Sequence, residues 1–194
     1  MNIVTTPRRR DAASTRQLLL DAARRRFAAD GYSATSVRDI AGDAGVNVAL
    51  ISRYFTSKEG LFRECLRDTG DDLRRSVTEG LTVADAPRII AEKLAGPPST
   101  QFPNRLLLLL RTSGDEAAER IRLDILTSFA ERLAAVSGDV SDRSLLNAQL
   151  VIATALGIVI LRAAGVQPLA GADEEKLTEP LHHLITALLG RNGA

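Results

Sequence analysis

Apolar residues recur along this chain at helical spacing, and in no stretch do they alternate as they would in a strand. A first stripe, Leu18, Leu19, Ala22, Ala23 and Phe27, predicts a helix from about Ser14 that Asp30 and Gly31 end. Two short helices follow, over residues 36–44 and 47–55. Thr56-x-x-Glu59 reads as the capping box of a fourth, apolar through Leu61, Phe62, Cys65 and Leu66, then polar from Arg67 to Glu79, with Gly70 weakening its middle. Asp85 and Pro87 open a helix reaching Leu94, and residues 96–100 break the pattern. Pro103 starts a helix whose Leu106 to Leu110 are apolar on all sides and are expected to be buried. A helix over residues 115–136 follows, with a core stripe of Ile121, Ile125, Phe129, Leu133 and Val136, broadened by Leu123 and Leu126. Residues 142–164 form the next, apolar on every face from Leu150 to Leu161 and stopped by Gly165. The last, over residues 174–189, carries Leu177, Leu181, Leu184, Ile185 and Leu188, with Pro180 either kinking or restarting it. The expected fold is all-α with about nine helices, divided into residues 1–12 as a flexible basic arm, 13–60 as a three-helix head and 61–194 as a larger helical domain.

Composition agrees with packed helices. Hydrophobic residues make up 45% of the 194, aromatics only 4%, and there is no Trp, so a core must be built from Leu, Ile, Val and Ala. The single cysteine, Cys65, lies on an apolar stripe and rules out an internal disulfide framework. No charged-then-apolar leader opens the chain, and the run from Leu150 to Leu161 is shorter than the ~20 residues of a membrane span. A soluble cytoplasmic protein without a membrane partner is expected. The net charge of +1 is unevenly divided: residues 1–56 hold nine Arg and no Lys against five Asp, a balance of +4, and the remainder carries −3. Positive charge is gathered at the head, as phosphate binding requires. Arg8, Arg9 and Arg10 are either a solvated tail or an arm that touches DNA, while Arg24, Arg25 and Arg26 read as a solvated face first.

Residues 37–56 organise the rest. With Gly45 as a hinge at positive φ, Ile40, Ala44, Val46, Ile51 and Tyr54 fall where a helix-turn-helix must be apolar, and Ala41 falls where its two helices approach closely. Asn47 can cap the second helix, which then presents Val48, Ala49, Ser52 and Arg53 outward to a major groove. An ordinary helical hairpin also joins two helices through a glycine, but it does not ask for the whole set of matched positions. Around this motif Thr35 and Ser36 can hold a phosphate at a helix N-terminus, and Arg38 can reach a base edge or a phosphate. Lys58 opposes the dipole of the helix it opens, which a nearby phosphate explains better than helix stability does.

The segment Tyr54-Phe55-Thr56-Ser57-Lys58-Glu59-Gly60-Leu61-Phe62 resembles the end of the DNA-binding domain of TetR-family transcriptional regulators. Upstream, Phe27-Ala28-Ala29-Asp30-Gly31-Tyr32 and Thr35-Ser36-Val37-Arg38-Asp39-Ile40-Ala41 match the same family pattern, so the resemblance covers about Ser14 to Leu66. It implies a ligand-responsive regulator whose helical domain dimerises through its last two long helices and holds a small-molecule pocket. The implied contacts with DNA are Thr35, Ser36, Arg38, Asn47, Val48, Ala49, Leu50, Ser52, Arg53, Tyr54 and Lys58. The chain departs from the family at Val48, Leu50 and Ser52, where Lys, Thr and Tyr are frequent; Val48 and Leu50 are candidates to read thymine methyl groups instead.

In the larger domain, Leu94, Phe102, Leu106, Leu109, Ile125, Phe129 and Leu156 either line a pocket for a hydrophobic effector or close into a solid core. Ala153, Gly157, Leu161, Leu181, Leu184, Ile185 and Leu188 are the expected homodimer contacts, Ala153 and Gly157 letting helices approach. The function expected is a homodimeric repressor released from a palindromic double-stranded DNA operator by a small apolar ligand. An enzyme would need a site, and His182 and His183 have no Asp, Glu or Cys at ligand spacing, so no metal, no cofactor and no catalytic residue is assigned. A helical adaptor without a DNA role would leave the charge division unexplained.

Overall fold

In the computed structural model the described residues, 7–78, 82–95, 101–139 and 141–190, form nine α-helices and no strand. They are α1 (Pro7–Asp30), α2 (Val37–Asp43), α3 (Ala49–Phe55), α4 (Lys58–Thr78), α5 (Ala86–Ala95), α6 (Gln101–Leu109), α7 (Glu116–Val136), α8 (Asp142–Ala163) and α9 (Glu174–Leu189). Helix α1 starts earlier than its apolar stripe suggests, because Pro7 fits the first helical position, where its missing N–H costs nothing. Residues 7–12 are thus helical, not a flexible arm; residues 1–6 of the expected arm, and the side chains of Arg8, Arg9 and Arg10, lie outside the described residues.

The head packs around aromatic rings. Phe27 and Phe62, both fully buried, meet edge to face at 5.1 Å, and Tyr32 lies 5.7 Å from Phe27 and 5.2 Å from Phe62. Leu19, Leu20, Ala22, Ala23, Ile40, Ile51 and Leu61 complete that core, each large side chain stabilising it by ~1.5–3 kcal/mol. Leu61, Phe62, Cys65 and Leu66 are all fully buried, so the head's core runs on through the first turns of α4 past residue 60. Burial also pushes the Cys65 thiol well above its ordinary range, consistent with a small apolar side chain rather than a reactive one.

Helix α4 is the shared wall: α1, α3, α6 and α7 all pack on it. Gly70 is what lets α7 come close, since a Cβ there would lie 2.7 Å from Ile125 Cγ1. Behind this wall α5 packs most extensively along α9, and α8 lies against α5, α6, α7 and α9. Helix α9 runs through Pro180 without a restart. Single-helix patterning misjudged a few positions: Leu18 and Leu123, 48% and 54% exposed, stand outside the face that their helix buries, and Leu110, 40% exposed, lies just past the end of α6.

The start of α4 also differs from the expected capping box. Ser57, not Thr56, is the cap, its Oγ accepting from the Gly60 N–H at 3.1 Å. Thr56 is instead spent on ending α3, donating its N–H to Ser52 O and taking a φ of 70°. A Cβ at Gly60 would overlap the Phe55 carbonyl oxygen, a backbone atom that cannot rotate away. Gly60→Ala should therefore destabilise the protein by about 1–3 kcal/mol in urea unfolding. Helix propensity alone predicts the opposite sign, a gain of up to ~1 kcal/mol, so a stabilised variant would refute this account of the α3–α4 junction.

Candidate nucleic-acid interface

Helix α2 is fixed at both ends. Ser36 and Asp39 exchange hydrogen bonds, the Asp39 N–H donating to Ser36 Oγ and the Ser36 N–H to Asp39 Oδ2, both at 3.2 Å. The Ser36 hydroxyl donates to the same carboxylate, which holds the Asp39 pKa below its usual range. At the other end Gly45, with φ 66°, donates to Gly42 O, and Val46 N–H reaches back to Ala41 O at 3.0 Å. This pair of bonds is a Schellman ending, and it throws the chain into α3. Asn47 Oδ1 then accepts from the Ala49 N–H at 2.8 Å, the cap expected of it.

The resulting outer face carries Ser36, Arg38, Asn47, Val48, Ala49, Ser52 and Arg53, all exposed. Among the described residues Arg38 forms no hydrogen bond or ion pair, and the Arg53 guanidinium lies 6.0 Å from the Tyr54 ring. Three expected contacts, Thr35, Leu50 and Tyr54, are turned wholly or partly inward. Thr35 is 2% exposed and its hydroxyl donates to Gly31 O at 2.7 Å, closing the turn after α1. Leu50 is half-buried against the core, as is Tyr54, because α3 has to bury one stripe on α4. Lys58 Nζ sits 4.2 Å over the Tyr32 ring, and the Tyr32 hydroxyl donates to Glu59 Oε1 at 2.6 Å. That bond pulls the Glu59 carboxyl down to about 2, while burial and Glu59 raise the Tyr32 hydroxyl above its ordinary value. This patch was not read from the sequence; the signal for it is a tyrosine directly after the glycine that ends α1.

The charge division read from the sequence overstates the free positive charge. Arg24 is 8% exposed and pairs with Asp21 and Asp68, standing on the buried stripe between Leu20 and Phe27. Arg26 holds Asp43 through two nitrogens, and Arg16 binds Glu64 at 2.6 Å. Arg25, Arg38, Arg53 and Lys58 are the head cations left outside ion pairs among the described side chains.

The remaining expected sites are divided. Leu94, Leu106 and Leu109 are buried and Leu156 is half-buried on mutually packed α5, α6 and α8, while the Phe102 side chain lies outside the described residues. Phe129 is half-buried on α7. Ile125 belongs to the α4–α7 seam, beside a cleft of about 270 Å³ whose rim is charged with Arg67, Asp71, Arg74 and Asp124. On α8 and α9, Ala153 and Leu161 are exposed, and Gly157, Leu184 and Leu188 half-buried. Leu181 and Ile185, 5% and 0% exposed, are not available to a partner, because they are buried within a domain in which α9 packs on α5 and α8. His182 and His183 both face solvent, and among the described residues no three His, Cys, Asp or Glu side chains are placed to hold a metal.

Residues 19–65 match the family described as bacterial regulatory proteins, tetR family. The head of this chain is therefore similar to that of TetR-family transcriptional regulators. It is 41% identical over 87 residues to the HTH-type transcriptional regulator BetI of Agrobacterium fabrum, covering 45% of this chain and 41% of that one. It is 42% identical over 84 residues to the HTH-type transcriptional repressor KstR2 of Mycolicibacterium smegmatis, covering 43% and 40%. The chain thus spans about two fifths of the length of the curated relatives it matches. The fold as a whole is that of a transcriptional regulator from Saccharomonospora viridis solved in complex with choline, with a TM-score of 0.69 over 93% of this chain and 97% of that one at 17% identity.

The Tyr32–Glu59 bond ties the turn after α1 to the start of α4. Its contribution belongs to the ionised carboxylate, so it is present above the unfolded value near 4.5 and is lost as pH falls through the folded value near 2. Tyr32→Phe should lower the melting temperature at neutral pH, and the gap from the parent protein should close as pH falls between those values. A gap that stays constant down to pH ~2 would show that the ring, not the hydrogen bond, carries the effect.

Proposed function

We propose that this chain is a homodimeric repressor that grips a palindromic DNA operator through α3 and is released by a small hydrophobic effector. The observation that carries the reading is the outward face of α3, fixed by the Schellman turn at Gly45 and flanked by Arg38, Arg53 and Lys58. In this reading residues 13–60 and the buried start of α4 form the DNA-binding unit, and the later helices form the effector and dimer unit. Lys58 meets phosphate, held in place by the Tyr32 ring, while Arg38 and Arg53 reach into or beside the groove. Val48, 39% exposed and lacking any polar atom, is suited to a thymine methyl, and inward-facing Leu50 is not. The effector would enter between α5, α6, α7 and α8, where Leu94, Leu106, Leu109, Phe129 and Leu156 offer an apolar lining. The place of action is the cytoplasm, with the operator.

Support for the dimer comes from α8. By length and composition this helix could cross a membrane, and only 28% of its apolar window is buried inside the protomer. It is nonetheless packed on four helices of its own domain through Ala148, Val151, Ile152 and Val159. What stays exposed is one stripe, Leu146, Leu150, Ala153, Ile160 and Leu161, with Gly157 in its middle. A second copy related by a twofold axis would cover that stripe and set two heads about 34–36 Å apart, one turn of DNA.

Two measurements test these claims. In gel shifts against a selected operator, Lys58→Ala should weaken specific and random DNA alike and flatten the salt dependence. Replacing contacted thymines by uracil should cost several-fold, and that cost should vanish in Val48→Ala; an unchanged cost there would remove Val48 from base reading. For the dimer, Gly157→Arg is informative because a Cβ there meets nothing within 4 Å inside the protomer. It should leave the fold intact, give a monomer in light scattering and weaken operator binding at least about 10-fold. A dimer of unchanged strength would place the interface elsewhere.

A further inference from the structure

An α-helix ends with carbonyls that have no partner within it, and α1 also lacks a basic residue in its last turn to balance the dipole. Its last turn is served from 82 and 83 residues away. Arg111, in the connection between α6 and α7, donates from Nε and one terminal nitrogen to Ala28 O, at 3.1 and 2.8 Å. The same terminal nitrogen donates to Ala29 O at 3.0 Å. Gly31, with φ 83°, turns the chain away beside the guanidinium, whose other terminal nitrogen would lie 4.0 Å from a Cβ there. The far end of the same connection is also fastened. Asp115 caps α7 by accepting from the Ala118 N–H at 2.8 Å, and both its carboxylate oxygens accept from Arg63 of α4, at 3.2 and 3.1 Å.

We infer that Arg111 is a positioning residue for the DNA-binding head, setting through its two-carbonyl grip where α1 sits along its own axis against the larger domain. The inference rests on the DNA-binding reading above. Helix α6 packs along α1, and the apolar part of such a contact has no directional bond that would fix a position along the axis. A planar fork bonded to two successive carbonyls does fix one. Helix α2 packs on α1, so axial slip of α1 would tilt the reading face. In a dimer that tilt becomes a change in the distance between two heads.

The test compares wild type, R111A and R111K. Each is assayed on palindromes built from the selected half-site, with centre spacing altered by one base pair in either direction. Wild type should prefer one spacing by about 10-fold, and R111A should compress that preference to about 2-fold, in the range of ordinary coupling energies. Affinity for random DNA and preference for the half-site sequence should not change, which a merely destabilised head would not reproduce. R111K keeps the charge but not the fork, so it should fall between the two. It also serves as the reading should R111A fail to fold. A readout free of DNA is the spin-label distance between Ala34 and Leu123, both exposed, in labelled protein diluted with unlabelled chains. The distribution should broaden in R111A and R111K. Wild-type spacing preference with wild-type distance width in a folded R111A, or in R111K, overturns the inference. Failure of wild type to bind any DNA would instead overturn the functional reading, with the distance measurement still deciding the role of Arg111.

Discussion

The reading head has no core of its own without α4. Phe62 lies on that helix, yet it packs edge to face on Phe27 from α1 and against Tyr32 from the following turn. With Phe27 and Phe62 both at zero exposure, the apolar energy of the head depends on a helix that also carries Gly70 and the seam with α7. Two short helices of seven residues each could not hold their relative angle alone, since isolated helices of that length do not persist in water. Their angle is set by the Gly45 turn on one side and by burial on α1 and α4 on the other. Orientation of α3 is therefore a property of the shared wall as much as of the motif.

Most of the fold was legible because the helices are strongly periodic and their stops are glycines. The Gly45 turn, the Asn47 cap, the Ser36 start of α2 and the limits of α7 and α8 all follow from local backbone chemistry, which a sequence carries in full. What was not legible needed two elements at once. Nothing local says that Leu181 and Ile185 face α5 rather than a partner, because a stripe of leucines looks the same in either use. Likewise Gly70 reads as a weak point within α4 until Ile125 is set against it. Thr35 is the opposite failure: a cap-forming residue type in a cap-like place, displaced one position inward so that Ser36 caps and Thr35 is buried.

Charge shows the same limit in another form. Counting arginines located the basic head, but a count treats every guanidinium as free. In the folded head Arg16, Arg24 and Arg26 are engaged by Glu64, Asp21, Asp68 and Asp43, and the Arg16–Glu64 and Arg24–Asp68 pairs fasten α1 to α4. A partly buried pair of this kind is costly to break from one side, since the remaining charge loses its partner in a place poor in water. Arginine in the head therefore has two separate uses, bracing the scaffold and meeting phosphate, and exposure and partners distinguish them where composition does not.

A regulator of this shape can respond to an effector only as far as the effector prefers one arrangement of its helices to another. The seams that join the head to the rest differ in how much rearrangement they allow. Between α4 and α7 the backbone of Gly70 lies against the Ile125 side chain with no room there for even a methyl group, so at that point the two helices cannot shift without repacking. The Arg63–Asp115 pair reinforces that seam at its head end. Between α1 and α6 the packing ends in a directional grip, where Arg111 holds Ala28 and Ala29. Helix α1 is bound to α4 as well, through Phe27 on Phe62 and the Arg16–Glu64 and Arg24–Asp68 pairs, so α1, α3 and the start of α4 turn as one unit if they turn at all. In the reading proposed above, an apolar ligand among α5, α6 and α8 would border α6, the helix whose following connection carries the Arg111 grip on α1.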